Sequence, residues 1–370
     1  MKVIFAGGGT GGHLLPGVSV AEHLASVHGG KILFLVTGKE MDSQLLRGRG
    51  FESVIIPQAA PPKKLMHLAS FAARSSLALL ECVKFFASWK PEVVVTLGGY
   101  GSVLPAVAAA IFHVPVVAME QNALPGRATR LLSHWASCIC LAFDESCRYF
   151  QNGAVVKVTG NPVRKEILRL GSGYSSKSQD RSLALHRFGL DENSKTILVL
   201  GGSQGASPIN TAFAAAAQAL GAWRDRLQFI HQTGTRDIES VRAAYERAGI
   251  RAATLPFIQE MALAYAVADL VISRAGATTI SEICAVGLPS VLVPYPLARD
   301  DHQRHNARLV AENGAAIVVE QNDLTTEKVL EIAGLVWEDA LLEEMRRKAR
   351  ILARPRALEA VAAEVMRLAH

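Results

Sequence analysis

Short apolar runs alternate with amphipathic stretches along the first 160 residues. Val3–Ala6, Ile32–Val36, Ser53–Ile56, Val93–Leu97, Val114–Ala118, Cys138–Ala142 and Val155–Thr159 read as buried strands. Between them Gly17–Val27, Val103–Phe112 and Arg127–Trp135 read as helices. Such alternation argues for a parallel sheet covered by helices on both faces. Gly160-Asn161-Pro162-Val163-Arg164 then interrupts the pattern, and after a short helix residues 171–182 form the most polar, linker-like stretch of the chain.

The pattern restarts at Thr196–Leu200, followed by Gly201-Gly202-Ser203-Gln204-Gly205-Ala206 and an Ala-rich helix over Ile209–Leu220. Further strands are expected at Gln228–His231, Ala252–Leu255, Leu270–Ser273, Ser290–Val293 and Ala315–Val319. The expected architecture is α/β: two successive doubly wound domains, 1–163 and 164–354. A C-terminal helix in 355–370 is expected to return to the first domain. Ligands of open parallel sheets sit at the carboxyl ends of the strands, so the glycine turns after the first strand of each domain should face a central cleft.

The first of those turns concentrates the candidate chemistry. Gly7-Gly8-Gly9-Thr10-Gly11-Gly12-His13 lies between a strand and a helix, where backbone N–H groups and the helix field can hold an anion. Gly7-x-Gly9-x-x-Gly12 also satisfies the dinucleotide fingerprint. The second strand, however, ends Val36-Thr37-Gly38 without the acid that would hold a ribose, which speaks against an NAD(P)-dependent oxidoreductase. The positive end of a helix disfavours imidazolium, so His13 is expected to be neutral and able to accept a proton. A base beside an anion-binding loop suits attack by a hydroxyl of a phosphate-bearing substrate.

At 370 residues, two domains are the expected division. The formal net charge of +6 is concentrated in residues 1–160, with fourteen Lys and Arg against nine Asp and Glu. Nucleic acid, an anionic membrane or an anionic substrate would each suit that excess, as would simple solubility. Five cysteines without paired metal spacing, and no secretory segment, fit a reducing cytoplasm. The longest apolar stretch, Leu104 to Met119, is broken by Pro105, His113 and Pro115 and is too interrupted to span a bilayer. No Asp-x-Asp occurs, so the chemistry is expected to need no metal or cofactor.

The first glycine run with Pro16-Gly17 shares its pattern with a known family. So do Gly98-Gly99-Tyr100-x-Ser102, Glu120-Gln121-Asn122, Gly160 to Arg164, Gly201 to Ala206, Ser273-Arg274-x-Gly276-Ala277-x-Thr279-x-x-Glu282 and Asp301-His302-Gln303-x-x-Asn306-Ala307. In order and over essentially the whole chain, these resemble the MurG family of bacterial peptidoglycan N-acetylglucosaminyltransferases. The resemblance implies a GT-B fold of two Rossmann-like domains. It also implies an inverting hexosyltransferase that moves N-acetylglucosamine from UDP-GlcNAc to the C4 hydroxyl of the muramic sugar of lipid I, giving lipid II. By the same resemblance His13 is the candidate base, ahead of Glu120 and Asn122. The acceptor would meet Gly8, Gly9, Thr10, Gly11 and Tyr100. The sugar nucleotide would meet Thr10, Gly11, Gly12 and Asn122, and in the second domain Arg164, Ser203, Gln204, Ile258, Ala277, Thr278, Thr279, Glu282, His302 and Gln303. The Glu282 carboxylate suits ribose hydroxyls rather than phosphate, and Asp301 suits an N-cap.

The polyprenol-linked acceptor that the resemblance implies would bring the first domain to the cytoplasmic face of the inner membrane as a peripheral protein. At about 100° per residue, Leu65, Leu68, Ala72, Ser76, Leu79, Val83 and Phe86 share one face of residues 63–90, expected to be core. Lys64, His67, Phe71, Arg74, Ala78, Phe85 and Trp89 fall opposite, a mixture of bases and aromatics that suits anionic lipid. The implied partners are UDP-GlcNAc, lipid I, that membrane surface and cell-division or cell-wall proteins, with no nucleic acid. The competing readings are a sugar transferase using another lipid such as diacylglycerol, the oxidoreductase above, and a silent sugar-nucleotide-binding scaffold.

Overall fold

The computed structural model describes residues 1–39, 42, 45–47, 49–56, 67–150, 154–171, 177–201 and 205–369. Lys64, Ser203 and Gln204 lie outside the described residues. The chain divides into two compact units, Met1–Val163 with Arg354–His370, and Arg164–Ala353.

In the first unit the order is β1 (Lys2–Ala6), α1 (Gly11–His28), β2 (Lys31–Val36), β3 (Glu52–Ile55), α2 (Leu68–Trp89) and β4 (Val93–Thr96). It continues through α3 (Val103–Ile111), β5 (Val116–Glu120), α4 (Arg127–Leu132), β6 (Cys138–Leu141) and β7 (Val156–Val158). The seven strands pair in parallel in the order β3-β2-β1-β4-β5-β6-β7. Central strands such as β4 and β5 are buried along their whole length, whereas the edge strand β3 is mostly exposed. This is why β1, β4 and β5 read as unbroken apolar runs in the sequence.

The second unit runs α5 (Lys165–Gly171), α6 (Lys177–Phe188), β8 (Lys195–Leu200), α7 (Ser207–Leu220), β9 (Leu227–Gln232), α8 (Ile238–Arg247) and β10 (Ala252–Leu255). Then come α9 (Met261–Val267), β11 (Leu270–Ser273), α10 (Ala277–Val286), β12 (Ser290–Leu292), α11 (His302–Glu312), β13 (Ala316–Val318), α12 (Thr326–Gly334) and α13 (Asp339–Leu352). Its six strands are also parallel, in the order β10-β9-β8-β11-β12-β13. In each sheet the chain order reverses beside the strand that carries the glycine turn, at β1/β4 and at β8/β11. A doubly wound sheet opens a ligand crevice at that point.

The last helix, α14 (Ala357–Leu368), packs on the first unit. Leu358, Val361, Ala362 and Val365 are buried in one core cluster with Val20, Ala21 and Leu24 of α1. Three features differ from the sequence reading. Residues 177–182, read as part of the polar linker, form the start of α6. Helix α1 starts at Gly11, six residues before the expected Gly17, so the glycine run itself supplies its first turn. On α2 the buried residues are Ala78, Cys82 and Phe86, spaced by four, while Ala72 and Ser76 are exposed. Phe85 and Trp89, expected on the outer face, are half-buried against the core. The small residues Ala78 and Cys82 share a core cluster with Ala108 and Ala109 of α3, the helix on which α2 packs, and hydrophobicity alone undervalues them.

Because Leu358 is 1 % exposed beneath α14, Leu358→Ala is expected to cost about 2–5 kcal/mol. The check is a lowered urea midpoint for the unfolding transition of the first unit.

Candidate functional site

Four loops gather at the carboxyl edge of the first sheet. Gly7, Gly8 and Gly9 follow β1 with φ of 127°, 133° and 83°. A Cβ at Gly7 would stand 2.9 Å from the Gly98 carbonyl oxygen, so the turns after β1 and β4 touch backbone to backbone. Gly11, Gly12 and His13 then form the opening turn of α1, where amide groups favour an anion. Thr10 Oγ1 lies 3.3 Å from His13 Nδ1. The half-buried His13 ring lies over Gly98 and Gly99, where an added side chain would come within 3.7 Å of it. Half-buried Tyr100 follows at once.

Glu120, at the end of β5, is 4 % exposed. Its Oε1 accepts from Asn122 N at 3.0 Å and Asn122 Nδ2 at 3.2 Å, and its Oε2 accepts from Gly126 N at 2.9 Å. Three donors thus bind this carboxylate to its own loop, and it shapes the turn that presents Asn122. Sequence reasoning missed Asp42. This fully buried side chain accepts from Gly9 N at 2.7 Å and from Thr37 Oγ1 at 2.9 Å, and Lys39 Nζ donates to Gly9 O at 3.1 Å. One residue of the glycine turn is therefore held by an anion on its N–H and a cation on its carbonyl. The only nearby signal was a Lys39 and Asp42 pair after β2, with no spacing to mark it.

The second sheet gathers its own set. Glu282, on the second turn of α10, is 4 % exposed. Its Oε1 accepts from Arg164 Nε at 3.0 Å and Nη2 at 2.8 Å, and its Oε2 accepts from Tyr265 Oη at 3.1 Å. Arg164 and Glu282 were expected to meet the nucleotide separately, and the structure makes them one ion pair. A carboxylate offers about four lone-pair directions, so three donors leave one direction open and fix the carboxylate plane. Breaking such a buried pair from one side costs about 3–5 kcal/mol, so Arg164 has a structural task as well.

Ala277 and Thr278 are buried and Thr279 half-buried in the first turn of α10. Ile258 is buried, and its backbone N–H donates to Gln232 Oε1 at 2.9 Å. Its carbonyl and apolar side chain are then the groups best suited to a base. Gln303 Oε1 accepts from Tyr295 N at 3.0 Å, and His302 Nδ1 lies 2.8 Å from Arg299 O. Asp301 was expected to cap α11. It instead adopts a left-handed φ of 55°, and its carboxylate pairs with Arg304 at 2.7 Å. Arg274 spans the same region, donating to Val293 O and Pro294 O, both at 3.2 Å, and to Gln321 Oε1 at 2.7 Å.

Burial raises the Glu282 carboxyl above the ordinary range despite the opposing Arg164 charge. On acidification it therefore takes up a proton before an ordinary glutamate does, and the Arg164 pair is lost. Affinity for UDP is expected to fall on that acid limb. Glu282→Gln should bind more weakly at neutral pH and lose the limb, which calorimetric titration across pH will show.

The glycosyltransferase family 28 N-terminal domain model matches residues 3–141, and its C-terminal domain model matches residues 196–361. A curated relative from Myxococcus xanthus is 37 % identical over 366 residues, covering 98 % of this chain and 91 % of the relative. One from Syntrophotalea carbinolica is 39 % identical over 340 residues, covering 88 % and 87 %. Both are named UDP-N-acetylglucosamine--N-acetylmuramyl-(pentapeptide) pyrophosphoryl-undecaprenol N-acetylglucosamine transferase. Among solved structures, Acinetobacter baumannii MurG superposes with a TM-score of 0.77 at 29 % identity over 99 % of both chains. A Neisseria meningitidis UDP-GlcNAc 2-epimerase, at 15 % identity and a TM-score of 0.66 over 99 % of this chain and 100 % of its own, shares the fold. With both domain models matched and close relatives along nearly its whole length, the chain belongs to glycosyltransferase family 28, among the MurG-type N-acetylglucosamine transferases.

Proposed function

We propose that the chain transfers N-acetylglucosamine from UDP-GlcNAc to the C4 hydroxyl of the muramic sugar of lipid I, forming lipid II with inversion. The observation that carries this reading is the first glycine turn. It is a loop suited to an anion by its geometry, its helix opening on His13, with Thr10 Oγ1 at 3.3 Å from the ring. In this reading the acceptor diphosphate lies on Gly8, Gly9, Thr10 and Gly11, with the acceptor sugar beside Tyr100. The His13 imidazole takes the C4 hydroxyl proton as that oxygen attacks the sugar C1 from the face opposite the diphosphate. The bond from C1 to the diphosphate oxygen breaks, and UDP leaves with both electrons of that bond. In this reading backbone N–H groups at the starts of α7 and α10 offset the charge it gains. Glu282, with Arg164 and Tyr265 behind it, takes a ribose hydroxyl. The Glu120 carboxylate, already accepting three hydrogen bonds, positions Asn122 instead of competing as the base.

The first unit also suits a lipid surface. No described helix is long and apolar enough to cross a membrane. Neighbouring helices α2, α3 and α4 nevertheless expose Leu77, Leu80, Ile111, Phe112 and Leu131, with Trp135 just beyond, and Arg74, Lys84 and Arg127 are exposed on the same helices. Large apolar side chains beside cations fit peripheral binding at the cytoplasmic face of an anionic membrane. Of the earlier candidates Arg74 is exposed and Phe71 half-exposed, while Phe85 and Trp89 serve the core. The charge excess thus has a lipid use, and cell-wall or division proteins would meet the chain at that membrane.

Labelled UDP-GlcNAc with a short-chain lipid I analogue, in chelator, should yield the disaccharide lipid, whereas diacylglycerol should not be glycosylated. Sugar transfer to diacylglycerol alone would contradict the reading. His13→Ala is expected to lower turnover about 10²–10⁴-fold while UDP affinity stays unchanged. Near-normal turnover would remove His13 from the chemistry. Leu80→Glu with Trp135→Glu should weaken sedimentation with phosphatidylglycerol vesicles while leaving turnover on a soluble acceptor analogue unchanged.

A further inference from the structure

A polar chain, buried at Tyr245, His231 and Asn210 and half-exposed at Asp237, lies beside Gly205 and the start of α7, and the chemistry above makes no use of it. His231, near the end of β9, lies with Nδ1 3.0 Å from Tyr245 Oη and Nε2 3.1 Å from Asn210 Oδ1. Asn210 Nδ2 donates to Thr233 O and to Asp237 Oδ2, both at 2.8 Å. Both of those partners only accept, so the amide orientation is fixed and Oδ1 must face the imidazole. The proton of His231 is therefore on Nε2, and Nδ1 accepts from the tyrosine hydroxyl. Burial lowers the imidazole pKa to about 3, which keeps this one neutral form. At the outer end, Asp237 also accepts from Ser207 Oγ at 2.6 Å, and these bonds hold its carboxyl below the ordinary range.

The chain ends on the parts that shape the turn. Ser207 is the first residue of α7, and Asn210 sits in its opening turn. Thr233 O, which accepts from Asn210, is also the atom against which Gly205 rests. A Cβ at Gly205 would stand 2.4 Å from it, and Gly205 has a φ of 75°. Strand end, turn and helix start thus share one carbonyl.

We propose that Tyr245, His231, Asn210 and Asp237 are positioning residues for the sugar nucleotide's diphosphate, fixing the start of α7 and Gly205 against the Thr233 carbonyl so that the N–H groups of Gly205 and of the first turn of α7 stay aimed at phosphate. This rests on the reading that UDP-GlcNAc binds the second unit. It adds residues that touch no ligand and act through the turn.

The test is calorimetric binding of UDP and of uridine to the full chain and to Asp237→Ala, Asp237→Asn and His231→Phe. Asp237 is half-exposed, so its variants keep the test informative if His231→Phe does not fold. Asp237→Ala and His231→Phe are expected to bind UDP about tenfold more weakly and uridine as well as wild type, with Asp237→Asn between. Equal losses for UDP and uridine would mean general loosening and overturn the proposal, as would unchanged UDP affinity in Asp237→Ala. A wild-type chain that binds no UDP overturns the functional reading itself, and the proposal with it.

Discussion

Backbone meets backbone at each glycine turn, and the rest of the arrangement depends on that approach. An anion is held by amide groups only if they are brought close together and kept aimed, and a Cβ at the contact prevents it. In the first unit the contact is Gly7 against Gly98. In the second, a Cβ on Gly201 would meet Ala206 N at 2.5 Å, and one on Gly205 would meet Thr233 O at 2.4 Å. Glycine gives this closeness but no rigidity, so neighbouring polar groups must supply it. Asp42 and Lys39 do so for the first turn, and the His231 chain does so for the second.

The same division of labour recurs around the candidate binding residues. Several groups suited to touch a ligand are held by hydrogen bonds from a neighbouring residue. Tyr265 and Arg164 hold Glu282, Gln232 holds Ile258, and Glu120 holds the Asn122 loop. Buried polar groups of this kind are costly when unpaired and stiff when paired. A site made of them is preorganised, which is what stabilising a departing diphosphate requires.

How much of this was legible in the sequence follows from what each signal measures. Central strands such as β1, β4 and β8 were readable because burial on both faces leaves mostly apolar residues. The glycine turns were readable because positions such as Gly7 and Gly205 leave no room for a side chain. The supporting residues were not, since His231, Tyr265 and Asp42 join their partners only once distant segments pack. The start of α1 was misplaced because glycine disfavours helix interiors, yet here Gly11 and Gly12 occupy a first turn fixed by its surroundings. Asp301 looked like a cap by residue type, but its left-handed backbone and its bond to Arg304 take it elsewhere. The outer face of α2 was misjudged because Ala78 and Cys82 carry little hydrophobic weight yet are buried in the core cluster.

The central claim is a separation of tasks: the second unit takes the uridine nucleotide and the first takes the acceptor. Hydrogen–deuterium exchange of the full chain with and without UDP tests it most directly. The account predicts slowed exchange around residues 205–209, 256–260 and 276–282, with residues 7–14 unchanged until an acceptor analogue is added. Protection by UDP confined to residues 7–14 would contradict it.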